Sequence, residues 1–314
     1  MSRFKVYVLD VFHPAGIDFL KQHADVIPYD DPRMANWHED ADGVMVRMRP
    51  LTAGDFAKAK KLKVVAKQGV GVNTIDIKAA KARGITVCNN PGVNSEAVAE
   101  LALAMALNLG RRVSEMDRVL RSGANMDRNN YLGLETWGKT VGVVGMGNIG
   151  TLIARKYVGA FNAKILAYDP YVPAERWSDL PHERVASLEA MLPRVDILTL
   201  HVPLTEETTH MIGKAQLAMM KPVAIVINPS RGGIVHEGAL HDALKAGKLF
   251  GAGLDVWEEV EPPPASHPLL SLPNVIATPH AAGGTRETQE KSSLRVGEQM
   301  WHVLNGGEPA SRIV

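Results

Sequence analysis

The stretch Val141–Tyr157, VGVVGMGNIGTLIARKY, carries the reading that decides the fold. It opens as a continuous apolar strand, turns through Gly145-Met146-Gly147-Asn148-Ile149-Gly150, and continues in a helical pattern. Three glycines at this spacing are a weak signal alone, because the chain holds 28 glycines in 314 residues. Their surroundings make the signal specific. The next strand, KILAY, ends at Asp169, which stands 19 residues after Gly150. In such a βαβ unit the glycines permit a tight turn and close backbone approach, and the helix N-terminus faces a pyrophosphate. The acid then accepts from ribose hydroxyls. A carboxylate at that place also repels a 2′-phosphate, so the expected dinucleotide is NAD rather than NADP.

Outward from this unit, short apolar runs alternate with helical patterns along almost the whole chain, which predicts parallel α/β sheets. Strands are expected on one side at Lys5–Leu9, Gly43–Val46, Lys63–Ala66 and Ile85–Val87, with helices near Pro14–Gln22, Ala53–Ala59 and Thr74–Ala82. Around and beyond the glycine motif they are expected at Thr140–Val144, Lys164–Tyr168, Ile197–His201, Ala224–Asn228, Gly251–Leu254 and Val275–Ala277. Between the two sets runs the helix Ser95–Gly110, apolar on most of its circumference and so in need of a buried partner. A polar, Asn-rich segment, Arg111–Gly138, follows it. The last helical pattern, Glu287–Leu304, ends at Asn305-Gly306-Gly307.

The chain is 46% hydrophobic and 22% charged with a formal net charge of +1, so no global field draws it to nucleic acid or an anionic membrane. A small-molecule partner is the expectation. The longest apolar run, Ala97–Gly110, contains Glu100 and falls short of the ~20 residues that cross a bilayer. Met1–Arg3 leads directly into a strand pattern, which leaves no room for a signal peptide and predicts a cytoplasmic chain. The single cysteine, Cys88, excludes an internal disulfide and a multi-cysteine metal site, and its strand context reads as structural. No metal is expected.

Three strand ends carry the candidate chemistry. NPSRGG places Arg231 after one strand, where a guanidinium fork can grip a carboxylate through two parallel bonds. LDVWEEVEPPP places Asp255, Glu258, Glu259 and Glu261 after a second, and TPHAAGG places His280 after a third. The carboxyl ends of parallel strands are where ligands of open α/β sheets collect. Most of the other histidines have bland readings. His236 and His241 in HEGALH lie five apart, about 140° around a helix, and cannot share a metal. His201 in HVPLT reads equally as the wall of a cofactor pocket or as a structural turn, whereas His13, His23, His38, His182, His210, His267 and His302 sit in polar contexts that predict solvent-facing rings.

Taken in order, GMGNIG, Asp169, HVPLT, NPSRGG, GAGLDVW and TPH resemble the D-isomer-specific 2-hydroxyacid dehydrogenases, and KQGVGVNTIDIKAAKARGITVCNNPG extends the resemblance into the first half. The resemblance implies two doubly wound parallel-sheet domains facing a cleft: a Rossmann NAD-binding domain, residues 95–285, inserted into a flavodoxin-like substrate domain, residues 1–94 and 286–314. It implies a homodimer through the 95–138 helix and arm. By motif it assigns Arg231 to the substrate carboxylate and carbonyl, His280 to acid–base catalysis, and Asp255 to the neighbourhood of the nicotinamide. It carries cofactor binding to Gly145, Met146, Gly147, Asn148, Ile149, Gly150 and Asp169, to His201, Val202, Pro203 and Thr208, to Pro229 and Ser230, and to Asp255, His280 and Gly283. Substrate binding falls on Arg47, on the backbone of Val70, Gly71 and Val72, and on Arg231 and His280.

One departure from the family pattern concerns the catalytic glutamate, which ordinarily lies five residues after the aspartate and directly before a proline. The fifth residue here is Val260 and the glutamate before proline is the sixth, Glu261. A carboxylate at hydrogen-bond reach of a histidine favours the imidazolium. Pro262 restricts the residue before it to extended geometry, which makes Glu261 the expected partner of His280 and Glu259 the second choice. The implied activity is interconversion of a 2-keto acid and its D-2-hydroxy acid. The implied substrates are glyoxylate, hydroxypyruvate and 3-phosphohydroxypyruvate; Arg47 and Arg49 either hold a second anionic group or are solvated loop residues. The rival reading is a non-catalytic NAD(H)-sensing protein of the same fold. The end at Val314 predicts no C-terminal regulatory domain of the kind carried by many phosphoglycerate dehydrogenases.

Overall fold

A computed structural model describes residues 3–173 and 175–314. The chain forms two compact units, one made of the chain up to Asn94 together with Gly284–Val314, the other of Ser95–Gly283.

The smaller unit is a five-stranded parallel sheet of β1 (Lys5–Val8), β2 (Asp25–Ile27), β3 (Gly43–Val46), β4 (Val64–Lys67) and β5 (Thr86–Cys88), in the order β2-β1-β3-β4-β5. This is the flavodoxin-like order, with the strand sequence reversing between β1 and β3. Across that reversal one carboxylate oxygen of Asp10, just past β1, accepts three successive backbone N–H groups beyond β3: Arg47 at 2.6 Å, Met48 at 3.1 Å and Arg49 at 3.2 Å. The loop that carries both arginines is thereby held by its backbone. Cys88 is fully buried, and burial pushes its thiol up to about 12, so it is an inert core residue.

The larger unit is a seven-stranded parallel sheet of β6 (Thr140–Val144), β7 (Lys164–Tyr168), β8 (Glu183–Arg184), β9 (Ile197–Leu200), β10 (Ile225–Asn228), β11 (Gly251–Leu254) and β12 (Val275–Ala277). Its order is β12-β11-β10-β9-β6-β7-β8. Alternate residues serve opposite faces. In β10, Val226 joins one apolar cluster with Met191 and Leu198, while Ile225 and Ile227 join another with Val141, Ile165 and Met105. Burial on both faces explains why these strands read as unbroken apolar runs. Met105 belongs to the helix Ser95–Arg111, which covers the second face with Ala99, Ala102, Ala106 and Leu109.

Several elements depart from the sequence reading, among them the short helices Lys214–Met219 and Glu237–Lys245, which it did not name. Strands β2 and β8 were not expected; both are edge strands of three and two residues, and an edge needs little apolar sequence. The segment after Arg111 contains a helix, Val113–Arg121, that buries none of its residues and is laced by Arg112–Glu115 and Arg121–Asp117 pairs. Without a buried stripe, its pattern was masked by its polarity. Among the described residues no helix is long and apolar enough to cross a membrane.

The helix Arg286–Leu304 closes the smaller unit, with Val296, Met300 and Leu304 packed on Val6, Met45 and Val64. It crosses the helix Pro14–Lys21 at very short range: a Cβ on Gly16 would lie 2.1 Å from the Ser293 carbonyl oxygen, and one on Gly297 2.8 Å from that of Gly16. Gly16→Ala is expected to force the two helices apart and cost about 1–3 kcal/mol of stability. Urea unfolding checks this, and an unchanged midpoint would place the crossing elsewhere.

Candidate active site

The three glycines of the nucleotide motif hold three different positions. Gly145 adopts φ +95°, and a Cβ there would meet the His201 carbonyl oxygen at 2.4 Å. A Cβ on Gly150 would lie 2.0 Å from the Gly145 carbonyl oxygen, so this residue lets the helix Asn148–Phe161 pack onto the turn. A Cβ on Gly147 would meet nothing within 4 Å. A tight turn, an open approach and a close packing contact are the three requirements of a dinucleotide loop. Gly147 is also the N-cap, leaving the first N–H groups of a helix exposed to an anion. Asp169 braces the same turn. Its carboxylate accepts from Met146 N at 2.8 Å and from Tyr171 N and Val172 N at 3.0 and 3.3 Å. The motif follows β6 and the HVPLT segment follows β9, on either side of the point where the strand order reverses. That reversal is the ligand crevice of doubly wound sheets.

His201 follows β9 directly. Although the residue as a whole is partly exposed, its ring is buried: Nε2 is 2.9 Å from Thr199 Oγ1 and Nδ1 has no partner among the described residues. Burial drives its pKa down to about 3, so the ring is neutral at physiological pH. Thr208 donates its hydroxyl to the Pro203 carbonyl at 2.7 Å, which shapes the loop.

The rim beyond β10, β11 and β12 brings the candidate chemistry together. Asn228, buried at the end of β10, accepts from Ser230 N and Oγ and donates to the Arg231 carbonyl at 2.9 Å. Arg231 itself donates to the Ser230 carbonyl at 2.6 Å and, among the described residues, pairs with no carboxylate. Gly232 then passes directly beneath the neighbouring loop, where a Cβ would lie 1.8 Å from the Trp257 carbonyl oxygen.

Asp255 is fully buried, and both oxygens of its carboxylate are hydrogen-bonded. It accepts from Thr278 Oγ1 at 2.5 Å, Ala281 N at 2.8 Å and Ala282 N at 2.9 Å, while its backbone carbonyl accepts from His280 N at 2.7 Å. These bonds hold His280 in a left-handed conformation, φ +57°. Its Nδ1 then lies 2.6 Å from Glu261 Oε2, and the other oxygen of Glu261 accepts from Trp257 N at 2.9 Å. Glu261 is therefore the glutamate that reaches His280, and Glu259 stays exposed. Glu258 is not a free solvated neighbour: it lies 2.5 Å from His210 Nε2.

Several histidines expected to face solvent have structural partners instead. His267 bonds to Glu237 and packs edge-on to Trp257, His38 stacks on Trp37 and pairs with Asp55, and His23 stacks on Trp301. Spacing could not reveal these contacts, because each partner is distant in sequence or set by a ring orientation. Lys67, at the end of β4, was also missed. It is buried and donates to the Arg47 and Gln68 carbonyls, tying the arginine loop to the end of β4. Among the described residues no cluster of histidine, cysteine or carboxylate side chains could hold a metal ion.

Residues 103–282 match the family model described as D-isomer specific 2-hydroxyacid dehydrogenase, NAD binding domain. The chain is 40% identical over 314 residues to the D-3-phosphoglycerate dehydrogenase of Methanocaldococcus jannaschii, covering 99% of this chain but only 59% of that relative. It is 37% identical to the hydroxypyruvate reductase of Thermotoga maritima, covering 97% of this chain and 99% of the relative. Among solved structures it resembles the TT0316 protein of Thermus thermophilus, with a TM-score of 0.88, 36% identity, and coverage of 99% of this chain and 100% of that one.

The buried His201 ring has a measurable consequence. A folded-state pKa near 3, against 6.5 for an unfolded histidine, means that the unfolded chain takes up a proton the folded chain refuses. Stability is therefore lost as pH falls below about 6.5, by up to about 1.4 kcal/mol per pH unit from this residue. Urea unfolding between pH 6.5 and 4 is expected to show a shallower loss for His201→Gln than for the wild type, and identical slopes would contradict the buried neutral ring.

Proposed function

The chain belongs to the D-isomer specific 2-hydroxyacid dehydrogenases, and on that premise we propose that it interconverts a small 2-keto acid and its D-2-hydroxy acid. NADH, when bound, supplies the hydride that adds to C2 of the keto acid. The glycine turn Gly145–Gly150 and Asp169 fit this cofactor, since the one glycine with open space above it lies between two that are closed. The observation that carries the reading is the Glu261–His280 pair, held at 2.6 Å on the same rim as an arginine that has no carboxylate of its own.

Arg231 orients the substrate carboxylate through its fork and polarises the carbonyl. His280 gives its proton to the developing alkoxide, and Glu261 fixes the ring through Nδ1. In the oxidative direction neutral His280 takes the proton from the hydroxyl. The same reading assigns substrate binding to Arg47 and to the backbone of Val70, Gly71 and Val72. It favours glyoxylate, hydroxypyruvate or 3-phosphohydroxypyruvate as the keto acid. It also takes the chain to be a cytoplasmic homodimer joined through residues 95–138, where Val113, Leu120, Leu132 and Trp137 are exposed.

NADH oxidation with glyoxylate, hydroxypyruvate, pyruvate and 3-phosphohydroxypyruvate tests the proposal and ranks the substrates. His280→Asn should lower turnover about 10²–10⁴-fold with little change in NADH binding, and Asp169→Ala should do the reverse. Rates at background with every keto acid would move the NAD-sensing alternative ahead.

A further inference from the structure

We propose that Glu237, with His267, is a positioning residue for the Glu261–His280 pair; the inference rests on the acid–base reading of that pair. Glu237 opens the helix Glu237–Lys245, and its side chain is only 13% exposed. One carboxylate oxygen accepts from Glu258 N at 2.7 Å, and the other lies 3.0 Å from His267 Nε2. The preceding backbone N–H, that of Trp257, donates to Glu261. Two successive N–H groups are thus each taken by a carboxylate. Glu237 is anchored on a helix, and Glu261 is the partner of His280.

These bonds orient two successive peptides that meet at the Trp257 Cα: Glu261 holds the N–H of the Val256–Trp257 peptide, and Glu237 that of the Trp257–Glu258 peptide. The position of this second peptide is closed from below by Gly232, where a Cβ would lie 2.8 Å from Glu258 N. From the side it is closed by the Trp257 indole, which donates to the Thr278 carbonyl at 3.0 Å and meets the His267 ring edge-on at 5.2 Å. Beyond this peptide, Glu259 and Val260 are exposed before the chain returns at Glu261. Without the bond to the Glu258 N–H the Trp257–Glu258 peptide would be free to turn; the Trp257 Cα that it shares with the preceding peptide would shift, drawing the Trp257 N–H from Glu261 and releasing the oxygen that sets the direction of the other one toward His280. Charge-assisted bonds to a backbone N–H are the stronger kind, so a carboxylate at position 237 is suited to prevent that turn. A displacement of about 1 Å at a catalytic group costs up to about 10²-fold in rate.

The test is a double-mutant cycle on NADH-dependent reduction of glyoxylate and hydroxypyruvate, using whichever is turned over faster. Glu237→Ala, Glu237→Asp and Glu237→Gln are each made in the wild type and in Glu261→Gln. Glu237→Ala is expected to lower kcat about tenfold or more, with KM and NADH affinity within about twofold, and to have less than about a twofold effect in Glu261→Gln. Glu237→Gln keeps an oxygen for the Glu258 N–H and should stay within about threefold of wild type. Glu237→Asp, which withdraws the carboxylate by one methylene but keeps the helix start, should follow Ala and serves if the Ala protein does not fold. An equal loss in both backgrounds, a matching loss of NADH affinity, or no loss at all would overturn the role of Glu237 alone. Wild-type turnover in Glu261→Gln, or no turnover of either keto acid by the wild type, would overturn the acid–base reading and this inference with it.

Discussion

The geometry of the candidate site depends on a buried carboxylate that, among the described residues, pairs with no cation. Asp255 is inaccessible to solvent, and an uncompensated charge there would be prohibitively costly. Two backbone N–H groups and a hydroxyl, all from the turn after β12, compensate it. The bonds work in both directions: they satisfy the charge, and they force the turn to close around His280. The left-handed conformation of His280 costs about 1–2 kcal/mol, which the turn can bear because four bonds to one residue hold it.

The same device recurs at other strand ends. Asp10 gathers three N–H groups of the Arg47 loop, and Asp169 gathers those of Met146, Tyr171 and Val172. Each of these loops leaves the carboxyl end of a parallel strand, where no ladder bond continues to hold the backbone. A short acidic side chain at that point fixes the loop without occupying the space in front of it. Arg47, Arg231 and His280 stand on backbone that other residues hold in place. Glu261 serves both the Trp257 N–H and His280.

Much of this was legible in the sequence for identifiable reasons. Strands covered on both faces must be continuously apolar, so β6, β9, β10 and β11 were readable to within a residue. The glycine motif was readable because its three positions have different steric needs, and Pro262 singled out Glu261 among three glutamates. What stayed hidden was tertiary. Asp255 reads as an acid near the nicotinamide, and nothing local reveals that its lone pairs are filled by residues more than twenty positions away. His267 and Glu258 look like polar loop residues until Glu237 and His210 are brought beside them. The edge strands β2 and β8 and the helix Val113–Arg121 bury too little to leave a hydrophobic period.

Asp255 holds the turn that carries His280. Asp255→Asn exchanges one acceptor oxygen for a donor, which cannot accept from the N–H it would face. Turnover of hydroxypyruvate at saturating NADH, measured beside NADH binding by fluorescence titration, tests this directly. The account predicts a rate lower by about 10²-fold with NADH affinity changed by no more than a few-fold. Undiminished turnover, or a loss explained by NADH binding alone, would contradict it.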